Sequence, residues 1–232
     1  MIPRAERLIV ALDVPTPKEA RALAETLGDT VSFYKVGLEL FSTAGYFELV
    51  EWLRSRGNKV FADLKLYDIP ETVRRAVANI ARSGATFLTV HGHRSVMEAA
   101  VREKGATGIL AVTVLTSFDQ RDLEEMASAR SVEEVVLARA RGAAETGCDG
   151  VIASGLEAKS LKQEFGGRLL VVTPGIRPAA GAGDDQKRTV DVARAFANGA
   201  DYIVMGRPIR DAADPRAAAQ AVQASIAAIF PR

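Results

Sequence analysis

Three charged residues, Asp63, Lys65 and Asp68, stand at the end of an apolar run and offer the most distinctive chemistry in the chain. Residues 60–65 have the composition of a buried strand, in which successive side chains alternate between two faces. Asp63 and Lys65 are therefore expected to share one face. Because a buried charge is costly unless it is paired, the two side chains should form an ion pair.

Two further charges are expected beside this pair. Asp13 follows the first apolar run of the chain, and Lys35 lies within the second. A lysine between carboxylates keeps its proton, because opposite charges favour the charged form, and it can then serve as a general acid. Schiff-base chemistry would need the opposite, a desolvated lysine with a lowered pKa. An ion-pair network that only holds the chain together is the structural alternative.

The elements that must position these residues repeat as eight short apolar runs, each followed by an amphipathic segment. Continuous apolar strands are typical of a parallel sheet that is covered by helices on both faces. We predict one domain over residues 1–232, a (β/α)8 TIM barrel of the α/β class, whose active site lies at the carboxyl ends of the strands. A doubly wound open sheet is the competing architecture. The eight units and the lack of an early glycine-rich dinucleotide fingerprint favour the barrel.

Several helix boundaries are predicted by the residues that begin and end helices. Pro17 should open the first helix and Gly28 should stop it. Long helices are expected over residues 132–146 and 215–229. Ser95 is expected to cap the helix that follows the fourth strand.

A second candidate site would bind an anion. Gly206 and Arg207 follow the eighth strand, at the barrel position where phosphate is commonly bound. Backbone N–H groups and a guanidinium suit a phosphate dianion. Segment 175–187, rich in Gly, Ala, Pro and Asp, is expected to form a mobile loop on the same face of the barrel. The anion-binding donors in or beside this loop are Arg177, Gln186, Lys187 and Arg188.

The composition argues against several classes of function. The chain has 30 Lys and Arg residues against 29 Asp and Glu residues, a net charge of +1, so neither a nucleic-acid nor a membrane partner is expected. No apolar stretch approaches the ~20 residues that span a bilayer, and the first residues lack the apolar core of a signal peptide. The single cysteine, Cys148, cannot form an intrachain disulfide. A cytoplasmic protein is expected.

The run Phe-Ala-Asp-Leu-Lys-Leu-Tyr-Asp-Ile-Pro at residues 61–70 resembles the Asp-x-Lys-x-x-Asp-Ile-Pro signature of the orotidine 5′-phosphate decarboxylase family. Glu71 departs from the family pattern, which often has asparagine after Ile-Pro, at a position that looks peripheral. Further segments resemble family segments in the same order, so the likeness spans nearly the whole chain. These segments are residues 12–13, 34–37, 115–117, 173–178, 185–188 and 205–209.

This resemblance implies conversion of orotidine 5′-monophosphate to uridine 5′-monophosphate (UMP) and CO2, the last step of de novo UMP synthesis, with no metal and no organic cofactor. It also implies a homodimer in which Asp68, Ile69 and Thr72 reach into the neighbouring subunit's site. Lys65 would protonate C6 of the pyrimidine as CO2 leaves. Asp63 would hold Lys65 and, with the partner subunit's Asp68, crowd the substrate carboxylate.

The same resemblance assigns the other substrate contacts. Asp13 and Lys35 are expected at the ribose hydroxyls, and Lys35 also counts as catalytic because it extends the charge array. Thr116 is expected at the pyrimidine, and Pro174 is a further substrate-binding candidate. The implied phosphate contacts are Arg177, Gln186, Gly206 and Arg207.

Two other functions stay open at this point. A related barrel, such as a hexulose-phosphate synthase, would use the same Asp-x-Lys-x-x-Asp pattern for metal-assisted enediolate chemistry on a sugar phosphate, and it would need a divalent cation. A non-catalytic nucleotide-binding barrel would bind a uridine nucleotide without turnover, and it would not need Lys65.

Overall fold

The computed structural model of the protein describes residues 2–177 and 188–231. Its eight strands are all parallel and close into a barrel in chain order, with the last strand paired to the first. This topology confirms the predicted (β/α)8 barrel and excludes the doubly wound sheet. The strands are β1 (Leu8–Ala11), β2 (Phe33–Gly37), β3 (Lys59–Leu66), β4 (Phe87–His91), β5 (Gly108–Val112), β6 (Gly150–Ile152), β7 (Leu170–Thr173) and β8 (Tyr202–Met205).

Helices follow the strands and cover the outside of the barrel. Their apolar faces pack on the outward-facing residues of the strands, which together form the larger of two buried apolar clusters. In the described residues the helices are α1 (Pro17–Leu27), α2 (Leu38–Phe41), α3 (Tyr46–Ser55), α4 (Pro70–Arg82), α5 (Arg94–Arg102), α6 (Gln120–Glu125), α7 (Val132–Thr146), α8 (Ala158–Phe165), α9 (Val192–Ala197), α10 (Arg207–Arg210) and α11 (Pro215–Ile229).

The predicted ends of α1, α7 and α11 are confirmed. Thr16 caps α1 by accepting a hydrogen bond from the backbone N–H of Glu19, and Gly28 ends it with a φ of 54°, a left-handed conformation that favours glycine. The expected cap at Ser95 is wrong. Helix α5 begins at Arg94, so Ser95 lies inside its first turn. A tight turn after β4, in which the N–H of His93 bonds to the carbonyl of His91, starts the helix earlier than its composition indicates.

Helix α9 has no counterpart among the predicted elements. It is only six residues long, so it shows less than two turns of apolar periodicity. Its cap is nevertheless an ordinary one, because Asp191 accepts a hydrogen bond from the N–H of Arg194.

The inward-facing residues of the strands form the second apolar cluster, inside the barrel. Four aromatic rings fill its amino-terminal half: Phe33, Phe61, Phe87 and Tyr202. Phe87 contacts each of the other three, with ring centroids 5.5 Å from Phe33, 6.2 Å from Phe61 and 5.4 Å from Tyr202. We call these four residues the aromatic layer. It closes the lower part of the barrel, so the barrel is a filled core and not a pore.

The pairing of β3 with β4 is irregular near the carboxyl ends of the strands. Ala62 is opposite Leu88 and Leu66 is opposite Val90, so three residues of β3 stand against the single residue Thr89 of β4. The last of the three bulged residues is Lys65, whose φ of 47° is left-handed. Bulges of this kind re-aim side chains and are common next to active sites.

The single cysteine, Cys148, is buried between α7 and β6, and burial raises the pKa of its thiol to about 11. Within residues 2–177 and 188–231, no helix combines the length and the apolar character that crossing a bilayer requires.

Candidate active site

The carboxyl ends of the strands surround a cavity of about 330 Å³. It lies where barrel enzymes place their active sites. Nine of the predicted site residues line it, namely Asp13, Lys35, Asp63, Lys65, Thr116, Pro174, Arg177, Gly206 and Arg207. Its apolar walls come from the inner faces of the strands and from Leu115, and comprise Ala11, Phe61, Val112, Ile152 and Val204.

Four charged side chains run across one side of this cavity in alternating sign. The ammonium of Lys35 lies 2.8 Å from Asp13 Oδ1 and 3.4 Å from Asp63 Oδ2. The ammonium of Lys65 lies 2.8 Å from the same Asp63 Oδ2. We call Asp13, Lys35, Asp63 and Lys65 the charge array. The structure thus brings together the four residues that the sequence predicted would meet.

The two inner members of the array are buried, whereas its two ends, Asp13 at 43% side-chain exposure and Lys65, are more open. Side-chain exposure is 11% for both Lys35 and Asp63, against 31% for Lys65. Lys65 therefore presents an ammonium group to the cavity while the residues behind it stay shielded from water. Such an arrangement suits a group that must deliver a proton at a fixed place.

Electrostatics fix the charge of the two buried members. Burial alone would raise the pKa of Asp63, but the charges of Lys35 and Lys65, with hydrogen bonds from Lys65 and Thr89, hold it below its ordinary value. Burial alone would lower the pKa of Lys35, but Asp63 and Asp13 outweigh it and raise that pKa. Both groups are consequently charged at neutral pH.

The predicted alternation along β3 holds through the bulge, although Lys65 is left-handed. Phe61, Asp63 and Lys65 line the cavity, whereas Ala62, Leu64 and Leu66 pack in the outer apolar cluster. A non-glycine residue held in this conformation costs on the order of 1–3 kcal/mol, and such strain clusters at functional sites. The predicted pairing of the two side chains on one face is confirmed, and a strained backbone at Lys65 accompanies the contact.

Gly37, at the end of β2, leaves room for the array. A Cβ atom at this position would lie 3.3 Å from the ammonium of Lys35 and 3.4 Å from Asp13 Oδ1. These distances are at or inside the tight limit for such contacts, so a side chain here would press on the salt bridge between Lys35 and Asp13. The absence of a side chain is therefore part of the geometry of the site.

The side of the cavity next to Asp13, formed after β7 and β8, is rich in arginine. Arg177 follows β7, whereas Arg207 and Arg210 belong to α10 after β8, and all three line the cavity. The sequence did not predict a role for Arg210 in the site. Its guanidinium donates to the backbone carbonyl of Asp13 and pairs with Asp211 at 2.6 Å, so it ties α10 to the loop that carries the first member of the array.

Arg188 does not serve as an anion-binding donor, contrary to the prediction. Its guanidinium is buried, forms an ion pair with Glu157, and donates to the carbonyls of Val114 and Leu115 at 3.2 and 3.0 Å. It thus anchors the chain next to Thr116. The predictions for Gln186 and Lys187 lie outside the described residues.

The predicted cross-subunit residues stand apart from the cavity of their own chain. Asp68, Ile69 and Thr72 are all exposed, and none of the described residues that line the cavity comes from this segment. Asp68 accepts a hydrogen bond from the N–H of Ile69 at 2.6 Å, just before α4 begins.

Thr89 on β4 is a site residue that sequence reasoning missed. It is fully buried and bonds to both Asp63 and Lys65. Alternation from Phe87 would have placed it on the inner face of the barrel, beside the array. The residue type alone does not indicate a role in the site, because threonine is common in strands.

Comparison with known proteins identifies the family. A family model described as "Orotidine 5'-phosphate decarboxylase / HUMPS family" matches residues 6–222. The chain is 59% identical to an orotidine 5′-phosphate decarboxylase of Methylococcus capsulatus over 230 residues, which are 99% of this chain and 95% of that protein. It is 51% identical to one of Rhodopseudomonas palustris strain HaA2 over 224 residues, 96% of this chain and 95% of that protein.

Solved structures agree. The crystal structure of orotidine 5′-phosphate decarboxylase from Lactobacillus acidophilus superposes with a TM-score of 0.85 at 37% identity, covering 95% of this chain and 99% of that one. The enzyme of the same name from Pyrococcus horikoshii gives a TM-score of 0.77 at 27% identity, covering 94% of this chain and 98% of that one. The chain therefore belongs to the orotidine 5′-phosphate decarboxylase / HUMPS family.

Proposed function

We propose that this protein decarboxylates orotidine 5′-monophosphate to UMP and CO2, the last step of de novo UMP synthesis. One observation carries the proposal: the ammonium of Lys65, paired with Asp63 at 2.8 Å, opens into a cavity that also contains Arg177 and Arg207. A proton donor and a phosphate-binding end in the same cavity suit a nucleotide whose base loses a carboxylate. The curated relatives with this activity in their names cover nearly the whole chain.

In the proposed reaction, the bond between C6 and the carboxylate breaks and its electron pair stays on C6. A proton moves from the Lys65 ammonium to C6, CO2 leaves, and the amine regains a proton from solvent. Asp63 keeps Lys65 in place. The carboxylate of Asp63 also repels the carboxylate of the substrate. At a separation of ~4 Å and an effective dielectric constant of ~20, this repulsion is on the order of 4 kcal/mol, and it is relieved when CO2 departs.

The family resemblance supports the other proposed contacts, and the residues named here line the cavity. Asp13 and Lys35 bind the ribose hydroxyls, Thr116 contacts the pyrimidine, and Pro174 is a further substrate contact. Arg207, with the backbone of Gly206, and Arg177 hold the phosphate. Gln186 is proposed for the same role on the strength of the family resemblance alone. No metal and no organic cofactor has a part in this mechanism.

An absorbance assay tests this function directly. Purified protein mixed with orotidine 5′-monophosphate should change the ultraviolet absorbance as UMP forms, and the rate should be the same with and without EDTA. No change in absorbance would refute the proposal, and UMP binding without turnover would then identify a non-catalytic nucleotide-binding barrel. No turnover of orotidine 5′-monophosphate, together with EDTA-sensitive activity on a hexulose phosphate, would instead identify the chemistry of a hexulose-phosphate synthase.

We further propose that the active unit is a homodimer in which Asp68, Ile69 and Thr72 complete the neighbouring subunit's site. Three large apolar side chains near the carboxyl ends of β2 and β3 are strongly exposed in the single chain, namely Leu38 at 56%, Tyr67 at 61% and Ile69 at 67%. Large apolar side chains that are exposed side by side mark interaction surfaces, and β2 and β3 are neighbouring strands. Their position next to Asp68 makes a second copy of the chain the expected occupant.

Mixing two inactive variants tests whether Asp68 acts across subunits. Lys65→Ala and Asp68→Ala should each be inactive, and the mixture should regain about a quarter of wild-type activity, since half of the dimers are mixed and each has one intact site. If Asp68 acted within its own chain, no mixed dimer would contain an intact site and the mixture would stay inactive. Sedimentation analysis of each variant would verify that both still form dimers.

A cytoplasmic location completes the proposal. The buried free thiol of Cys148 suits a reducing compartment. Cell fractionation with an antibody against the protein would test the location.

A further inference from the structure

Thr89 lies directly behind the charge array and is fully buried. It is not among the described residues that line the cavity, so its side chain is positioned to act on the array and not on a bound ligand. Its hydroxyl oxygen lies 2.9 Å from the backbone nitrogen of Lys65 and 2.9 Å from Asp63 Oδ1. One hydroxyl therefore connects the backbone of one array member to the carboxylate of another.

The direction of these two hydrogen bonds follows from the chemistry of the groups. The backbone N–H of Lys65 can only donate, so Thr89 Oγ1 must accept it. The single hydroxyl proton is then left for Asp63 Oδ1, which must accept. The other oxygen of Asp63, Oδ2, faces the ammonium groups of Lys35 and Lys65. Thr89 thus fixes which carboxylate oxygen meets the lysines.

The pairing of the strands explains why a side chain is needed here. Thr89 is the one residue of β4 that stands against the three bulged residues 63–65 of β3. A bulge leaves backbone groups without their ladder partners, and buried backbone N–H groups need a partner. The Thr89 hydroxyl supplies it for Lys65 at the point where the backbone is left-handed.

We propose that Thr89 is a positioning residue, whose hydroxyl holds the left-handed bulge of Lys65 and the rotation of the Asp63 carboxylate so that the Lys65 ammonium points at the reacting carbon. This inference rests on the proposed decarboxylation for its kinetic consequence, but its structural part stands without it. Because Thr89 orients the proton donor and does not touch the substrate, its loss affects kcat and leaves KM nearly unchanged.

Three variants separate this role from a general contribution to stability. Thr89→Val removes the hydroxyl at nearly constant volume, and Thr89→Ser restores it. Thr107→Val is the matched control, since Thr107 is also buried and donates one hydrogen bond, to the carbonyl of Ala85, but lies before the start of β5 at the opposite end of the barrel. Thr89→Ala takes the place of Thr89→Val if the latter does not fold.

Steady-state kinetics give the first readout. Thr89→Val should lower kcat about 10- to 100-fold, the size expected for the loss of a hydrogen bond to a charged group, with KM within about twofold of wild type. Thr89→Ser and Thr107→Val should both keep kcat within about threefold of wild type. A wild-type kcat in Thr89→Val, or a Thr89→Ser variant as slow as Thr89→Val, would overturn the proposal.

Amide hydrogen exchange gives a second readout that needs no activity. The backbone amide of Lys65 should exchange much faster in Thr89→Val than in wild type, and Thr89→Ser should restore its protection. Unchanged protection in a folded Thr89→Val variant would overturn the structural part. If the wild-type protein failed to decarboxylate its substrate, the proposed function would fall while this exchange experiment still decided the role of Thr89.

Discussion

On the inner face of the barrel, the side chains change from aromatic to polar between successive inward-facing residues of the same strands. On β2, β3 and β4, an aromatic ring of the lower layer is followed two residues later by a polar side chain of the upper layer. The pairs are Phe33 and Lys35, Phe61 and Asp63, and Phe87 and Thr89. Two residues of a strand span about 6.6 Å, so the aromatic layer, in which Phe61 also lines the cavity, and the charged layer lie almost in contact.

The two layers are stabilised in different ways. The aromatic layer gains free energy by removing apolar surface from water. The charged layer loses free energy by desolvation and recovers it only through close pairing. The aromatic layer therefore contributes stability, and the charged layer carries the chemistry. Because the rings lie below the charges, water reaches the charges only from the open end of the barrel.

Lys65→Ala is the sharpest test of this separation. We expect kcat to fall on the order of 10⁴-fold, the upper range for loss of a general acid, while UMP binding and the melting temperature change little. Steady-state kinetics and calorimetry would measure this. Lys59→Ala is the matched control, because Lys59 begins the same strand at the far end and pairs with Glu6. Near-wild-type activity in Lys65→Ala would contradict the assignment of the chemistry to the charged layer.

Phe33→Ala should lower stability and leave catalysis nearly unchanged, the reverse of the effect expected for Lys65→Ala. Phe33 is fully buried, and its ring lies 5.5 Å from that of Phe87 and 5.9 Å from that of Tyr202. Its removal should lower the free energy of unfolding by about 3–5 kcal/mol, whereas kcat of the folded protein should stay near the wild-type value. Denaturant unfolding measures the first quantity and kinetics well below the melting temperature the second. A large drop in kcat would mean that the two layers are coupled.

Arg207→Ala probes the arginine-rich part of the cavity after β8, which belongs to neither layer. Loss of a hydrogen bond between charged groups is worth about 1.5–3 kcal/mol, so kcat/KM should fall about 10- to 100-fold, through weaker binding as well as a lower rate. Binding of UMP by calorimetry should weaken in parallel. Arg168→Ala, an exposed arginine just before β7 at the other end of the barrel, should leave both quantities unchanged.

The smallest expected effect is a pH dependence that only the charged layer should show. The pKa of Asp63 is lowered in the folded protein, because the lysines and hydrogen bonds outweigh burial. Its stabilisation is therefore complete above the unfolded value of 3.8 and is lost as the pH falls through the lower folded value.

Thermal unfolding can resolve this effect. The difference in melting temperature between wild type and Asp63→Asn should be constant between about pH 5 and 8 and should shrink below about pH 4. The corresponding difference for Phe33→Ala should not depend on this titration. A difference for Asp63→Asn that stayed constant down to pH 3 would contradict the assigned shift.

The sequence predicted the fold and the four array residues because both depend on local patterns. Apolar runs indicate buried strands, and strand ends in a barrel converge on one face. The bulge in β3 is different, because it depends on register with β4, and the hydrogen bond that pins it joins Lys65 to a residue 24 positions away. Alternation alone predicted the contact between Asp63 and Lys65 but not the bulge that accompanies it.

Arg188 is a second residue whose role depends on a long-range contact that the sequence pattern does not predict. Its neighbours in the sequence are polar and rich in glycine, so composition indicated an exposed anion-binding group. Its true partner, Glu157, is 31 positions away and follows β6, and the parallel pairing of β6 with β7 brings the two residues together. Long-range pairs between oppositely charged residues leave no local pattern from which they can be predicted.

The burial of Cys148 has a practical consequence for spectroscopy. A thiol with a pKa near 11 and little exposure should react slowly with maleimide or methanethiosulfonate reagents at neutral pH. A single cysteine introduced at the cavity rim, for example at Ser117, could then carry a fluorophore or a spin label without removal of the native thiol. The wild-type chain is in effect a ready background for watching this enzyme bind its nucleotide in real time.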